Sequence, residues 1–380
     1  MKVAILSTFY PFRGGIAQFN ANLLNELAKT NEVRAYTFTC QYPSFLFPGK
    51  TQYVTEEDNA VKVDALPVLN TANPFSYCRA AKIIAKWHPD VVFFRYWMSY
   101  FAPSQGMVAR ILRKKGIKVV TLVDNAFPHE SKFFDKPFAR WFFKANDALI
   151  GMSQAVLNDV ATLHVTNKKR KSIPTKLMHH PLYNQFSAKV DRVEAKRHFG
   201  LDPEKKTLLF FGFIRDYKGL DLLIEAMDYL DESYQLLIAG ECYGSFEKYE
   251  QLIAGRKHPE NIICQNRYIS DDEVTEFFSA ADVCILPYRS ATQSGIIAIC
   301  YNFELPVIAT NVGGLAESIV SPNVGLMTEQ ISAEAIARSV IKYFAMDRTV
   351  FIANIKKLKE ELTWPNFAAQ LIDFINELQV

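Results

Sequence analysis

Two short runs constrain the architecture more than anything else in the chain. Residues 283–286 (Val-Cys-Ile-Leu, closed by Pro287) and 306–310 (Pro-Val-Ile-Ala-Thr) are almost wholly apolar. A strand formed by either run has no polar face to show to water and must be covered on both sides. A parallel sheet wrapped by helices meets that demand. Between the runs lies Arg289-Ser-Ala-Thr-Gln-Ser-Gly295, followed by an apolar helical stretch. A strand ending in a polar, glycine-containing loop that opens a helix offers free backbone N–H groups and a positive dipole end, which suits a phosphate. The same pattern also makes ordinary strand-to-helix turns, so the loop needs partners from elsewhere in the chain.

The alternation recurs along the chain. Residues 2–8 read as a strand, Phe9-Tyr-Pro-Phe-Arg-Gly-Gly15 as a loop and 16–30 as a helix. This opens a doubly wound sheet, with Gly14 and Gly15 letting a ligand approach the backbone. The spacing is not GxGxxG, which argues against a dinucleotide dehydrogenase. Strands follow at 32–39, 90–95, 118–123 and 148–152, with helices at 74–86 and 104–115. His129 lies in a loop after the 118–123 strand, at a carboxyl end where open sheets bind ligands; a lone histidine also serves structure. Residues 165–181 are basic and aperiodic, so the boundary is placed near 185, giving domains 1–185 and 186–380. The closing helix is free to pack back on the first domain.

The second half restarts the pattern with a strand at 207–213, the turn Ile214-Arg-Asp-Tyr-Lys-Gly219 and a helix at 220–230. Arg215 and Lys218 thus stand at a strand's carboxyl end, a forked donor and a compact charge suited to a diphosphate. Strand 235–239, the Gly240-Glu241 turn, helix 245–254 and strand 262–264 come next. Ser270 and Glu273 form a capping box opening a helix to 280, and 332–344 and 365–378 are amphipathic closing helices.

Composition narrows the class. With 49% hydrophobic and 22% charged residues the chain is a globular protein rather than a disordered one. No run approaches the ~18 apolar residues of a membrane span, and the amino-terminal segment runs into a strand pattern rather than a signal-peptide cleavage site. A cytoplasmic protein is expected. The six cysteines show no CxxC spacing and read as reduced core residues, not zinc ligands; adjacent His179 and His180 lack a third ligand at a metal spacing. Net charge is divided unevenly: residues 1–185 hold 24 Lys+Arg against 12 Asp+Glu, and 186–380 hold 19 against 28. The basic half suits a phosphorylated substrate or anionic lipid; no nucleic-acid motif accompanies it. Within it, Lys132, Lys136, Arg140 and Lys144 recur every four residues beside Phe133, Phe138, Trp141 and Phe142. A helix of that pattern either rests on an anionic membrane surface or turns a solvated face outward.

In this order, the landmarks resemble one family, the family 4 retaining glycosyltransferases of the GT-B fold. They are the Gly14-Gly15 loop, Asn125-Ala-Phe-Pro-His-Glu130, Phe211-Gly-Phe-Ile-Arg-Asp-Tyr-Lys-Gly219, Ala281-Asp-Val-Cys-Ile-Leu-Pro-Tyr288, and Pro306-Val-Ile-Ala-Thr with Gly313-Gly-Leu-Ala-Glu317. The resemblance covers nearly the whole chain. It implies an α/β fold of two Rossmann-like doubly wound domains facing across a cleft, with a nucleotide-sugar donor held by the second, an acceptor by the first, and no metal or cofactor.

Carried over residue by residue, Arg215 and Lys218 match the pair that neutralises the donor diphosphate, and His129 the histidine near the transferred sugar. Gly14 and Gly15 match the loop approached by donor phosphate and acceptor. Tyr268 and Ile269 lie where the base is contacted, with Glu241 nearby. One departure stands out: the two glutamates usual in the opening stretch fall at Ala291 and Ile299, and Glu304 occupies a position that normally holds a small residue. Thr292, Gln293, Ser294, Gly295 and Ile296 supply hydroxyl, amide and backbone N–H groups instead. The expected activity is metal-independent glycosyl transfer with retention to a glycan or lipid-linked acceptor in cell-surface polysaccharide synthesis, at the inner membrane face. A nucleotide-sugar epimerase and a degenerate nucleotide-sugar binding protein stay open as alternatives.

Overall fold

Every strand among the described residues runs parallel to its neighbours, as uninterrupted apolar runs require. The computed structural model describes residues 1–43, 52–54, 60–127, 132–166, 172–182, 186–291 and 294–378. Seven strands form the first sheet: β1 (Lys2–Leu6), β2 (Glu32–Cys40), β3 (Ala65–Asn70), β4 (Val91–Tyr96), β5 (Lys118–Val123), β6 (Ala148–Gly151) and β7 (Thr175–Leu177). Their order is β3-β2-β1-β4-β5-β6-β7. Six more, β8 (Lys206–Phe211), β9 (Tyr234–Ala239), β10 (Ile262–Gln265), β11 (Val283–Leu286), β12 (Val307–Thr310) and β13 (Gly325–Thr328), form the second in the order β10-β9-β8-β11-β12-β13. β4, β11 and β12 are buried along their whole length. The winding direction reverses at β1/β4 in one sheet and at β8/β11 in the other, the points where such sheets bind ligands.

The chain divides into two units, Met1–His180 with Trp364–Val380, and Pro181–Thr363. The helix Trp364–Glu377 therefore belongs with the first sheet. Its apolar stripe packs on the helix Gly15–Leu27, where the Phe19 ring meets Trp364 at 5.0 Å and Phe367 at 5.7 Å. Both caps expected at Ser153 and Ser270 form: Ser153 Oγ accepts from Val156 N at 3.3 Å, and Ser270 with Glu273 closes a capping box.

Several elements carry too weak a pattern to be read from sequence. β3 and β7 are partly exposed, so neither shows a clean apolar face. The helix Thr349–Glu361 buries only Phe351 and Ile355, and its apolar stripe is lost among charges. A helix over all of residues 132–144 would align the four cations, but the helix formed is Asp135–Phe143. Lys132 precedes it and donates its backbone N–H to Asp135 Oδ2 at 2.5 Å, so the four cations do not share one continuous helix. The expectation that all six cysteines are core residues also needs correcting. Cys284 and Cys300 are buried, but Cys78 is exposed on the outer side of the helix Pro74–Lys86, and all six are free.

Candidate functional site

At the β8/β11 switch point the second unit assembles a cationic turn. β8 runs out through Gly212 (φ +99°) into Ile214, whose N–H donates to the Glu241 carbonyl at 2.9 Å. Half-buried Glu241, after β9, thus fixes the entry to the turn through its backbone. Residues Asp216–Lys218 then make one 3₁₀ turn, ended by Gly219 in the left-handed conformation (φ +66°). A Cβ at Gly219 would stand 2.1 Å from the Pro287 carbonyl at the end of β11. Only glycine lets the turn and the neighbouring strand approach this closely.

Arg215 is exposed, and its guanidinium lies over the Tyr243 ring at 4.3 Å. Lys218 is buried, with Nζ 5.7 Å from the Tyr288 ring centre. Burial, aided by the Arg215 charge, pushes the Lys218 ammonium down to about 8. Among the described residues neither makes an ion pair with a carboxylate. Two cations at a strand's carboxyl end with no carboxylate partner among the described residues have the chemistry that suits a diphosphate.

The loop after β11 is brought to this turn. A Cβ on Gly212 would lie 3.2 Å from Lys218 Nζ and 3.3 Å from Ile296 Cδ1, so the lysine and the first turn of the helix Gly295–Asn302 both border Gly212. Ser294 Oγ lies 3.3 Å from the buried Tyr288 hydroxyl. Arg289 locks the arrangement. Its guanidinium donates to both Asp221 carboxylate oxygens at 2.8 and 2.7 Å and to the Asp216 carbonyl at 2.9 Å, while its N–H donates to the Tyr217 carbonyl at 2.7 Å. Sequence reading assigned no role to Arg289, Asp221, Tyr243 or Tyr288. Nothing but the position of Arg289 at the head of the loop pointed to it, because its partner lies 68 residues away.

Other expected site residues are placed differently. Tyr268 and Ile269 follow β10, which β9 separates from β8, and the Ile269 side chain is buried in an apolar cluster. Ala291 is buried in that cluster and Ile299 packs against it, which explains their chemistry: a carboxylate at either place would be charged against hydrocarbon. Glu304 takes a left-handed conformation (φ +49°) and pairs with Lys359 at 2.9 Å and Lys356 at 3.8 Å, away from the loop. In the first unit, Gly14 (φ +117°) and Gly15 open the helix Gly15–Leu27 after β1, with open space where their Cβ atoms would lie. His129, Thr292, Gln293 and residues 167–171 lie outside the described residues. Lys132, Lys136, Arg140 and Lys144 are all exposed. Among the described residues no three His, Cys, Asp or Glu side chains converge to hold a metal, and no helix is long and apolar enough to cross a membrane.

The sequence models of two glycosyltransferase families match complementary parts of the chain, Glycosyltransferase Family 4 at residues 13–175 and Glycosyl transferases group 1 at residues 191–358. The chain is a family 4 glycosyltransferase of the GT-B fold. Relatives of this glycosyltransferase include an uncharacterized glycosyltransferase of Methanocaldococcus jannaschii, 24% identical over 96% of this chain and 95% of its own. The lipopolysaccharide core biosynthesis mannosyltransferase LpsB of Rhizobium meliloti is 25% identical over 48% of this chain and 50% of its own. Among solved structures, Anabaena HepE in complex with UDP superposes with a TM-score of 0.77 at 12% identity, covering 99% of this chain and 100% of that one. The same protein has been solved with UDP-glucose (TM-score 0.72, 13% identity, 99% and 100% coverage). The two family models meet between residues 175 and 191 of the glycosyltransferase, where its two units also part.

Proposed function

We propose that this glycosyltransferase moves a sugar, with retention and without a metal, from a nucleoside-diphosphate sugar to a glycan or lipid-linked acceptor in cell-surface polysaccharide synthesis. The observation that carries the reading is the unpaired Arg215/Lys218 turn, held against the start of the Gly295–Asn302 helix by Gly212, Gly219 and Arg289. In the proposed reaction the bond from the anomeric carbon to the diphosphate oxygen breaks and a bond to the acceptor oxygen forms on the same face. The acceptor proton passes to the departing phosphate. Arg215 and Lys218 bind the diphosphate as its charge grows, the kind of electrostatic stabilisation that contributes most where donors are already in place. Ser294, Gly295 and Ile296 add backbone N–H groups, joined by Thr292 and Gln293; Glu241, Tyr268 and Ile269 serve the nucleoside. Gly14, Gly15 and His129 serve the acceptor and the transferred sugar.

A uridine nucleotide is favoured because the structural neighbour with the highest similarity cited above is a complex with UDP. The lipopolysaccharide core mannosyltransferase among the relatives and the basic first half favour an anionic or lipid-linked acceptor met at the inner membrane face. A binding-only protein is the second reading, favoured by the apolar Ala291 and Ile299. Calorimetry with UDP and GDP, followed by hydrolysis and transfer assays on the matching sugar nucleotides, decides between them. Donor turnover is expected; binding with no turnover overturns the enzyme reading, and conversion of the donor sugar without hydrolysis or transfer points to an epimerase.

A further inference from the structure

Ser153, Ser332 and Ser294 all precede helices in extended backbone conformations, but only the first two cap their helix. Ser153 (φ −146°, ψ 155°) accepts at Oγ from the Val156 N–H at 3.3 Å, and Ser332 (φ −151°, ψ 156°) from the Ala335 N–H at 3.2 Å. Each satisfies one of the N–H groups that a helix start leaves open. Ser294 (φ −137°, ψ 120°) stands before the helix Gly295–Asn302 and makes no such bond. Its Oγ lies instead 3.3 Å from the Tyr288 hydroxyl. The Ile297 N–H, which a serine cap would take, reaches only the Ser294 carbonyl at 3.2 Å. Among the described residues the Gly295 and Ile296 N–H groups have no acceptor.

Tyr288 is held in place for this contact. Its carbonyl accepts from Thr310 Oγ1 at 2.5 Å, which ties its backbone to the end of β12. The residue is 3% exposed, in the apolar cluster that also holds Ala291 and Ile297. Among the described residues Ser294 is the one hydrogen-bond partner of its hydroxyl, and breaking the contact would strand a buried polar group. Burial raises the phenol pKa well above its ordinary value, so Tyr288 stays protonated and able to donate. When it donates, Ser294 Oγ keeps its own proton for another acceptor.

A second feature stands in front of the same helix. Lys218 is 9% exposed, and among the described residues its Nζ makes no hydrogen bond or ion pair. It borders Gly212 together with Ile296, and its Nζ lies 5.7 Å from the Tyr288 ring centre. A buried cation beside an uncapped helix start suits an anion that accepts from both. A serine that capped this helix would compete with that anion for the same N–H groups.

We propose that Tyr288 is a positioning residue, which holds Ser294 Oγ away from its own helix and so leaves the first N–H groups of Gly295–Asn302, and the Ser294 O–H, to the donor diphosphate. This rests on the reading of the Arg215/Lys218 turn as the donor site.

Tyr288→Phe keeps the ring and removes the restraint. The freed Ser294 hydroxyl then turns to the helix, and in the ligand-free protein the amides of residues 295–297 exchange about 5-fold more slowly, the protection that one serine cap gives. UDP affinity, read by calorimetry, falls by a similar factor, about 5-fold. Ser294→Ala in the Tyr288→Phe background removes the competing hydroxyl, so the double variant binds UDP more tightly than Tyr288→Phe and loses the added protection. A tyrosine that served packing alone would give no such rescue, and matched thermal melts show that each variant folds. Wild-type UDP affinity in Tyr288→Phe, unchanged amide exchange, or a double variant that binds UDP no more tightly than Tyr288→Phe overturns the proposal. Exchange is read without ligand, so the two readings fail separately. Slowed and rescued exchange in a protein that binds neither UDP nor GDP overturns the donor site, whereas UDP binding with none of these exchange changes overturns the role of Tyr288.

Discussion

Arg289 and Asp221 face each other through two parallel hydrogen bonds of 2.8 and 2.7 Å, joining the loop after β11 to the helix Leu220–Ala226. The pair is half-exposed, so its part in stability is small. Its part in positioning is larger, because Arg289 also holds the backbone of Asp216 and Tyr217. Lysine keeps the charge but not the fork. Arg289→Lys is therefore expected to weaken UDP binding about 10-fold, with the melting temperature nearly unchanged. Calorimetry and a thermal melt check both.

Removing the cations tests the chemistry directly. Arg215→Ala and Lys218→Ala are each expected to lower kcat by ~10²–10³, the range for loss of one preorganised donor, and together to leave no measurable transfer. Circular dichroism should show an unchanged fold. Retained turnover in the double variant sinks the assignment.

Burial holds Lys218 at about 8, below an ordinary lysine. In the free protein it loses its proton as pH rises through that value, whereas a bound diphosphate favours the charged form. UDP affinity should therefore be level below about pH 8 and fall above it, with proton uptake on binding. Lys218→Met should flatten the profile. For the free protein the sign is opposite: above about 8 the unfolded chain still holds the proton that the native state has released, so stability rises with pH toward the ordinary lysine value.

Two glycines separate folding from ligand approach. Gly219→Ala meets both a positive φ and the Pro287 carbonyl, and should cost roughly 1–3 kcal/mol in a denaturant titration. Gly15 has neither obstacle. Gly15→Ala should leave stability unchanged, and a fall in transfer would report a ligand passing close to that backbone.

In the first unit Arg95 and Asp124 form a buried pair, with Nε–Oδ2 at 2.8 Å and a second contact at 2.6 Å, at the carboxyl ends of β4 and β5. Arg95 also lies over the Phe19 ring at 3.9 Å. Asp124→Ala strands a buried guanidinium and should cost about 3–5 kcal/mol, whereas Arg95→Met with Asp124→Leu should cost far less. Denaturant midpoints of the single and double variants decide the matter.

Much of this protein follows from local chemistry in the sequence. The apolar runs of β4, β11 and β12 demand parallel sheets, the glycine-bearing loops mark the switch points, and Arg215 with Lys218 can be picked out because both fall within one turn after a strand. These features lie within a few residues of each other, and hydrophobic periodicity and turn chemistry act at that range. The tertiary structure decided the rest. Only packing shows that the closing helix joins the first unit and that Ala291 lies in an apolar cluster with Ile299 packed against it. The Arg289–Asp221 clamp and the burial that shifts Lys218 are of the same kind. Each depends on which distant residues share a neighbourhood, and desolvation and pairing have no strength until the fold has set those distances.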